Sequence, residues 1–193
     1  MLFPVFAALD LWTFVTEPAT LGVLAATLVL AWPLGRRLAD RVGCSRVVAV
    51  ALVVTVGVVL ALTVTPNRPV NSLEPLPPPH FLSLLRHSPG ALWTQFATPP
   101  GDTEQLANIA LYVPVGLLAW FAWRSVVRAS VVGLLLTVAI ETCQYGIIGR
   151  AGSITDIRNN TMGAILGAVF AAAAAARHAA ARASRPTAED PPS

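Results

Sequence analysis

Charge is what this chain lacks most. Charged residues make up 12% of its 193 positions, lysine is absent, and all 13 basic residues are arginine. Hydrophobic residues reach 55% and the mean hydropathy is +0.65, which excludes an ordinary soluble domain, where roughly a quarter of residues are charged. Only two cysteines occur. Cys44 and Cys143 fall on opposite sides of the membrane in the topology read below, which excludes an intrachain disulfide, and their spacing matches no zinc motif. The three histidines, His80, His87 and His178, lie in loop or tail with no second ligand at useful spacing, so neither a metal nor a cofactor is expected. No Gly-rich phosphate loop, nucleophile elbow or HExxH motif is present, and no catalytic residue can be assigned from a known signature. The first basic residue is Arg36, so the opening MLFPVFAALDLWTFV lacks the positive n-region of a cleavable signal peptide.

What the chain has is long apolar runs. Ala19–Leu34, Val47–Val64, Leu106–Trp123, Ser130–Ile148 and Thr161–Ala176 each approach the length of about 20 residues that a helix needs to cross a bilayer. The runs are continuously apolar rather than alternating, and an open sheet edge cannot be satisfied in lipid, so the expected fold is all-α: a polytopic bundle of about five transmembrane helices. Nine of the 13 arginines fall after the first, third and fifth runs, a side that the positive-inside rule makes cytoplasmic. The N-terminus is then outside and the C-terminus cytoplasmic. Trp32, Trp120 and Trp123 at the inner interface, with Trp12 and Trp93 on the outer side, agree with this. The arginines flank hydrophobic segments and read as topology signals rather than as a nucleic-acid surface.

The expected organisation follows. Residues 1–18 form an interfacial segment, with a sixth crossing or a longer first helix as the alternative. Residues 19–64 hold the first two transmembrane helices, and 65–105 form a Pro-rich extracytoplasmic loop with LEPLPPPH and TPPG, where proline interrupts helix. Within that loop, FLSLLRHSPGALWTQF is apolar enough to lie on the membrane surface. Three more helices occupy 104–176, and 177–193 read as a disordered cytoplasmic tail.

Polarity converges on the outer ends of the last three helices. Glu141, Gln144 and Tyr145 share one face of the fourth helix at i, i+3 and i+4, and an ionisable group inside a membrane is a functional hypothesis by default. Asn108 stands at the entrance of the third helix, level with Glu141, while Pro114 and Gly116 permit a bend at mid-membrane. Arg150, Asp156, Arg158, Asn159 and Asn160 follow in the loop and helix entrance beyond. Each residue also has a plainer reading. Ser153 and Asp156 match a capping box, Asn108, Gln144 and Asn160 could be interhelical glue, and Gly163 with Gly167 make small-xxx-small packing. A carboxylate in lipid, however, costs about 2.5 kcal/mol or more unless it pairs or protonates, so Glu141 needs a partner. Arg150, Asn108 and Asn160 are the candidates.

The motifs NIALYVPVG (Asn108–Gly116), ETCQY (Glu141–Tyr145), Arg150 and DIRNNTMG (Asp156–Gly163) resemble, in order and spacing, the VanZ-like bacterial membrane proteins. That family takes its name from a protein that lowers sensitivity to the glycopeptide teicoplanin. The resemblance covers residues 104–170. Tyr112 stands where the family has phenylalanine, and Ser153 and Thr155 stand where acidic residues are common, which argues against a carboxylate cluster for cation binding. The resemblance implies a multi-pass protein of the bacterial cytoplasmic membrane that acts on the cell envelope. With the residue reading it gives a binding site of Asn108, Glu141, Gln144, Arg150, Asp156 and Asn160 facing outward. The expected partners are membrane lipids, with a cell-wall precursor or a glycopeptide as the polar ligand. A membrane-embedded enzyme acting on a lipid-linked substrate is the alternative. A transporter ranks last, because neither an inverted repeat nor polarity reaching the cytoplasmic ends is visible.

Overall fold

The computed structural model describes residues 16–64, 86–144 and 153–184. Among these it is all helix: α1 Pro18–Val42, α2 Arg46–Thr63, α3 Pro89–Ala97, α4 Thr103–Trp123, α5 Val126–Gln144 and α6 Ile154–Ala183. All but α3 are long and apolar enough to cross a membrane. Their outward faces carry large apolar side chains, including Val29 at 75% exposure, Leu28 at 69% and Phe170 at 67%. In water such a surface would aggregate, whereas lipid satisfies it.

Local chemistry sets the helix ends. Arg36, Arg37 and Arg41, read from the sequence as lying between helices, ride instead on the last turns of α1. Arginine, leucine and alanine are strong helix formers. The helix stops only at Gly43, whose φ of 75° is the left-handed conformation glycine adopts without a Cβ clash. A three-residue connection, Gly43–Ser45, then starts α2. α4 and α5 are joined as tightly by Arg124 and Ser125, with Arg124 at φ 51° and its guanidinium 5.1 Å from the Trp120 ring. Trp120 is thereby buried rather than standing at a lipid interface. α6 runs past Ala176 to Ala183, so the start of the expected disordered tail is helical, as its Ala/Arg composition favours. The interfacial reading of residues 1–18 lies almost wholly outside the described residues.

The core is built from small residues. Ala119, Ala122, Ala129, Ala164, Ala168 and Ala171 are buried, and glycines bring backbones into contact. A Cβ on Gly163 would overlap the Ile109 carbonyl oxygen, one on Gly167 that of Val113, and one on Gly116 that of Ala164. α4 and α6 therefore meet backbone to backbone. This is how helices associate in lipid, where apolar burial gives no net drive and close van der Waals packing must supply it. Gly116 serves this approach, while α4 continues as helix through Pro114. Gly35 against Val50 and Gly57 against Thr27 pack α1 on α2 in the same way.

Candidate functional site

Hydrogen bonds between helices fix which ends lie together. The Gln144 side chain donates from Nε2 to the Thr63 carbonyl at 2.9 Å, so the C-terminal ends of α2 and α5 meet. The Ser153 N–H donates to Glu141 Oε2 at 2.8 Å, joining the end of α5 to the start of α6. Asn108 Nδ2 donates to Asp156 Oδ1 at 2.9 Å, joining the starts of α4 and α6. The opposite end of the bundle carries Arg36, Arg37, Arg41, Arg46, Arg124, Arg128, Arg177 and Arg182.

The polar side chains form two layers because each of three helices contributes a pair four residues apart, which places both members on one face. α4 gives Asn108 and Tyr112, α5 gives Glu141 and Thr137, and α6 gives Asp156 and Asn160. The first layer is the Asn108–Asp156 bond together with the Glu141 carboxylate, which is 3% exposed. One helical turn deeper, about 5.4 Å, Asn160 Nδ2 donates to Thr137 Oγ1 at 2.9 Å. The Tyr112 hydroxyl lies beside Thr137 and within electrostatic range of Glu141 and Asp156. It is fully buried and out of hydrogen-bonding geometry with any of them, and Asn160 Oδ1 and Asn159 Nδ2 are likewise buried without a protein partner.

The capping box expected at α6 is rearranged. Ser153 Oγ accepts from the Thr155 N–H at 3.2 Å, as an N-cap should. The N-cap's own N–H, which an acidic residue at the third helical position would normally take, goes instead to Glu141. Asp156 is thus left to receive Asn108. Of the partners expected for Glu141, Asn108 bonds Asp156 and Asn160 bonds Thr137, while the Glu141 carboxylate accepts from the Ser153 N–H. Arg150 and Tyr145 lie outside the described residues.

Arg158 has a role that spacing alone did not disclose. Its Nη1 donates to the carbonyls of Gln95 (3.2 Å), Phe96 (3.0 Å) and Thr98, closing the C-terminal end of α3, while Nε and Nη2 hold Asn159 Oδ1 at 3.0 and 2.9 Å. A guanidinium at a helix C-terminus complements both the orphan carbonyls and the dipole. α3 is thereby docked on the first turns of α6. On its outer side Trp93 and Phe96 stack with ring centroids 6.1 Å apart.

Five of the six candidate residues are therefore at one end of the bundle. Asn108, Glu141, Asp156 and Asn160 adjoin one another across α4, α5 and α6, and Gln144 turns aside to α2. Thr137 and Tyr112 complete the inner layer. Their signal in the sequence was spacing: Thr137 precedes Glu141 by four, and Tyr112 follows Asn108 by four. Among the described residues no three His, Cys, Asp or Glu side chains converge as metal ligands.

Five apolar spans around a buried amide, hydroxyl and carboxylate cluster define a multi-pass helical membrane protein with a polar site at one end. The family model described as VanZ/LLP1 matches residues 47–175, about two thirds of the chain, and the protein belongs to that family. The match takes in α2 as well as the motif-bearing helices α4 to α6. Comparison with curated proteins and with solved structures finds no match.

Proposed function

We propose that this VanZ-family protein resides in the bacterial cytoplasmic membrane with its arginine-rich end in the cytoplasm and its polar cluster facing outward. There it binds the polar head group of a lipid or cell-wall precursor and so modulates the envelope and its sensitivity to glycopeptides such as teicoplanin. The positive-inside rule supports the orientation. The observation that carries the reading is the inner layer. Tyr112 Oη and Asn160 Oδ1 are buried without protein partners beside Thr137, and helices that needed only glue would not retain polar atoms left unpaired at a cost of about 1–3 kcal/mol each.

The test is teicoplanin susceptibility, with vancomycin alongside, in a host expressing wild type or the variants Glu141→Gln, Arg150→Ala, Asp156→Asn and Asn160→Ala at matched membrane levels. Raised tolerance with wild type that is lost in the variants is the expected result. A wild type without effect, or variants that keep it, would refute the assignment.

A further inference from the structure

Beside the first polar layer lies an open cleft of about 210 Å³ lined by Gln95, Thr98, Gln105, Thr155 and Arg158. It is framed by the C-terminal end of α3 and the starts of α4 and α6. It borders the cluster directly: Gln105 precedes Asn108 by one turn, and Thr155 adjoins Asp156. The hydrogen-bonding inventory of its wall is two amides, two hydroxyls and one guanidinium.

The guanidinium is committed. Nη1 serves three carbonyls of the α3 terminus, and Nε and Nη2 serve Asn159, so Arg158 does not present the free planar fork that grips a phosphate. The Thr98 hydroxyl donates to the Thr94 carbonyl at 2.7 Å and keeps acceptor lone pairs. Gln105 Oε1 accepts from the Gly101 N–H at 3.1 Å, which leaves its NH₂ to donate. Gln95 and Thr155 can each donate and accept. The Arg158 charge is outnumbered nearby, since the Asp102 and Glu104 carboxylates lie with it within electrostatic range of Asp156. A wall whose free donors and acceptors are amides and hydroxyls, with its one guanidinium already bonded to the protein and carboxylates close by, matches hydroxyl groups, which both donate and accept, and disfavours an anion.

We infer that this cleft recognises an uncharged, hydroxyl-bearing moiety, the chemistry of a sugar ring or glycerol group, in preference to a phosphate. The inference rests on the head-group reading above and narrows it to a chemical class. A volume of about 210 Å³ has room for a single sugar ring.

The experiment uses the full chain, purified in detergent and incubated with monoglucosyl-diacylglycerol, diacylglycerol or phosphatidate, with bound lipid read by native mass spectrometry. The glucolipid should be retained at least about tenfold more than either other lipid, the contribution of two or so net hydrogen bonds. Gln95→Leu/Thr155→Val, which alters two partly exposed side chains, should bring it down to the diacylglycerol level. Competition with free glucose distinguishes the sources: displacement assigns recognition to the sugar alone, and its failure assigns it to the lipid-borne sugar. Phosphatidate retained as well as the glucolipid, or a double variant that still retains the glucolipid, overturns the inference and leaves the head-group reading standing. No lipid retained above diacylglycerol likewise overturns the inference, and the head-group reading then stands or falls on the susceptibility test.

Discussion

Gly167→Ala adds one methyl group to α6, and its effect can be worked out from the seam with α4. The new Cβ would lie inside the contact radius of the Val113 carbonyl oxygen and close to the Leu117 nitrogen. Both are backbone atoms, so no side chain can turn away. An ordinary carbon–oxygen contact is about 3.3–3.6 Å, and restoring it means moving α4 and α6 apart by about 1 Å or more. Overpacking of this kind costs about 1–3 kcal/mol, offset by the gain of up to about 1 kcal/mol that alanine has over glycine in a helix. The same separation stretches the 2.9 Å Asn108–Asp156 bond beyond hydrogen-bonding distance. Gly22→Ala on α1 is the control, because a Cβ there meets nothing within 4 Å, and it should stabilise by up to about 1 kcal/mol. Reversible unfolding in bicelles, followed by steric trapping, measures both. Gly167→Ala should lose about 1–2 kcal/mol while Gly22→Ala gains. If Gly167→Ala proved as stable as Gly22→Ala, the backbone-to-backbone seam would be refuted.

Two further predictions concern single side chains. Tyr112→Phe removes a buried hydroxyl that has no protein partner, so stability should hold or rise, by about 1–3 kcal/mol at most; Thr137→Val, which strands the Asn160 amide donor, should cost a similar amount in the same unfolding assay. Arg158→Ala opens the carbonyl end of α3, so amide hydrogen exchange over Ala91–Thr98 should accelerate at least about tenfold, as expected for losing about 1.4 kcal/mol or more of local stability. Arg158→Lys should recover only part of that protection, because an ammonium lacks the fork that reaches several carbonyls at once. Unchanged exchange in Arg158→Ala would show that α3 is held by something else.

The spans were legible in the sequence because lipid imposes a length and a composition that few other environments demand. So was the shared level of Asn108 and Glu141, since helix rise converts position into depth, whereas Asn160 lies one turn deeper, with Thr137. The pairing of those residues was not legible. Whether Asn108 faces Asp156 or Glu141 depends on the rotation of α4 against α6, and that rotation is set by Gly116, Gly163 and Gly167, whose contacts are with backbone rather than with any recognisable side-chain partner. Gln144 met the Thr63 carbonyl, a main-chain atom 81 positions away that no residue type announces. The capping box misled for a related reason: Ser153 and Asp156 satisfied the local pattern, but Glu141 from another helix took the N–H that the pattern reserves for Asp156.

A seam closed by backbone atoms has no side chains to repack, so it has no slack. α4 and α6 must move as one piece, with α5 held to them by Glu141 and by the Thr137–Asn160 bond. The α1–α2 hairpin is joined differently: its helices pack mainly on each other, and α2 meets the rest chiefly along α4. Any rearrangement on binding would therefore be a swing of this hairpin against a rigid three-helix block. Gln144, tethering α5 to the last turn of α2 through Thr63, sits where that hinge would be felt.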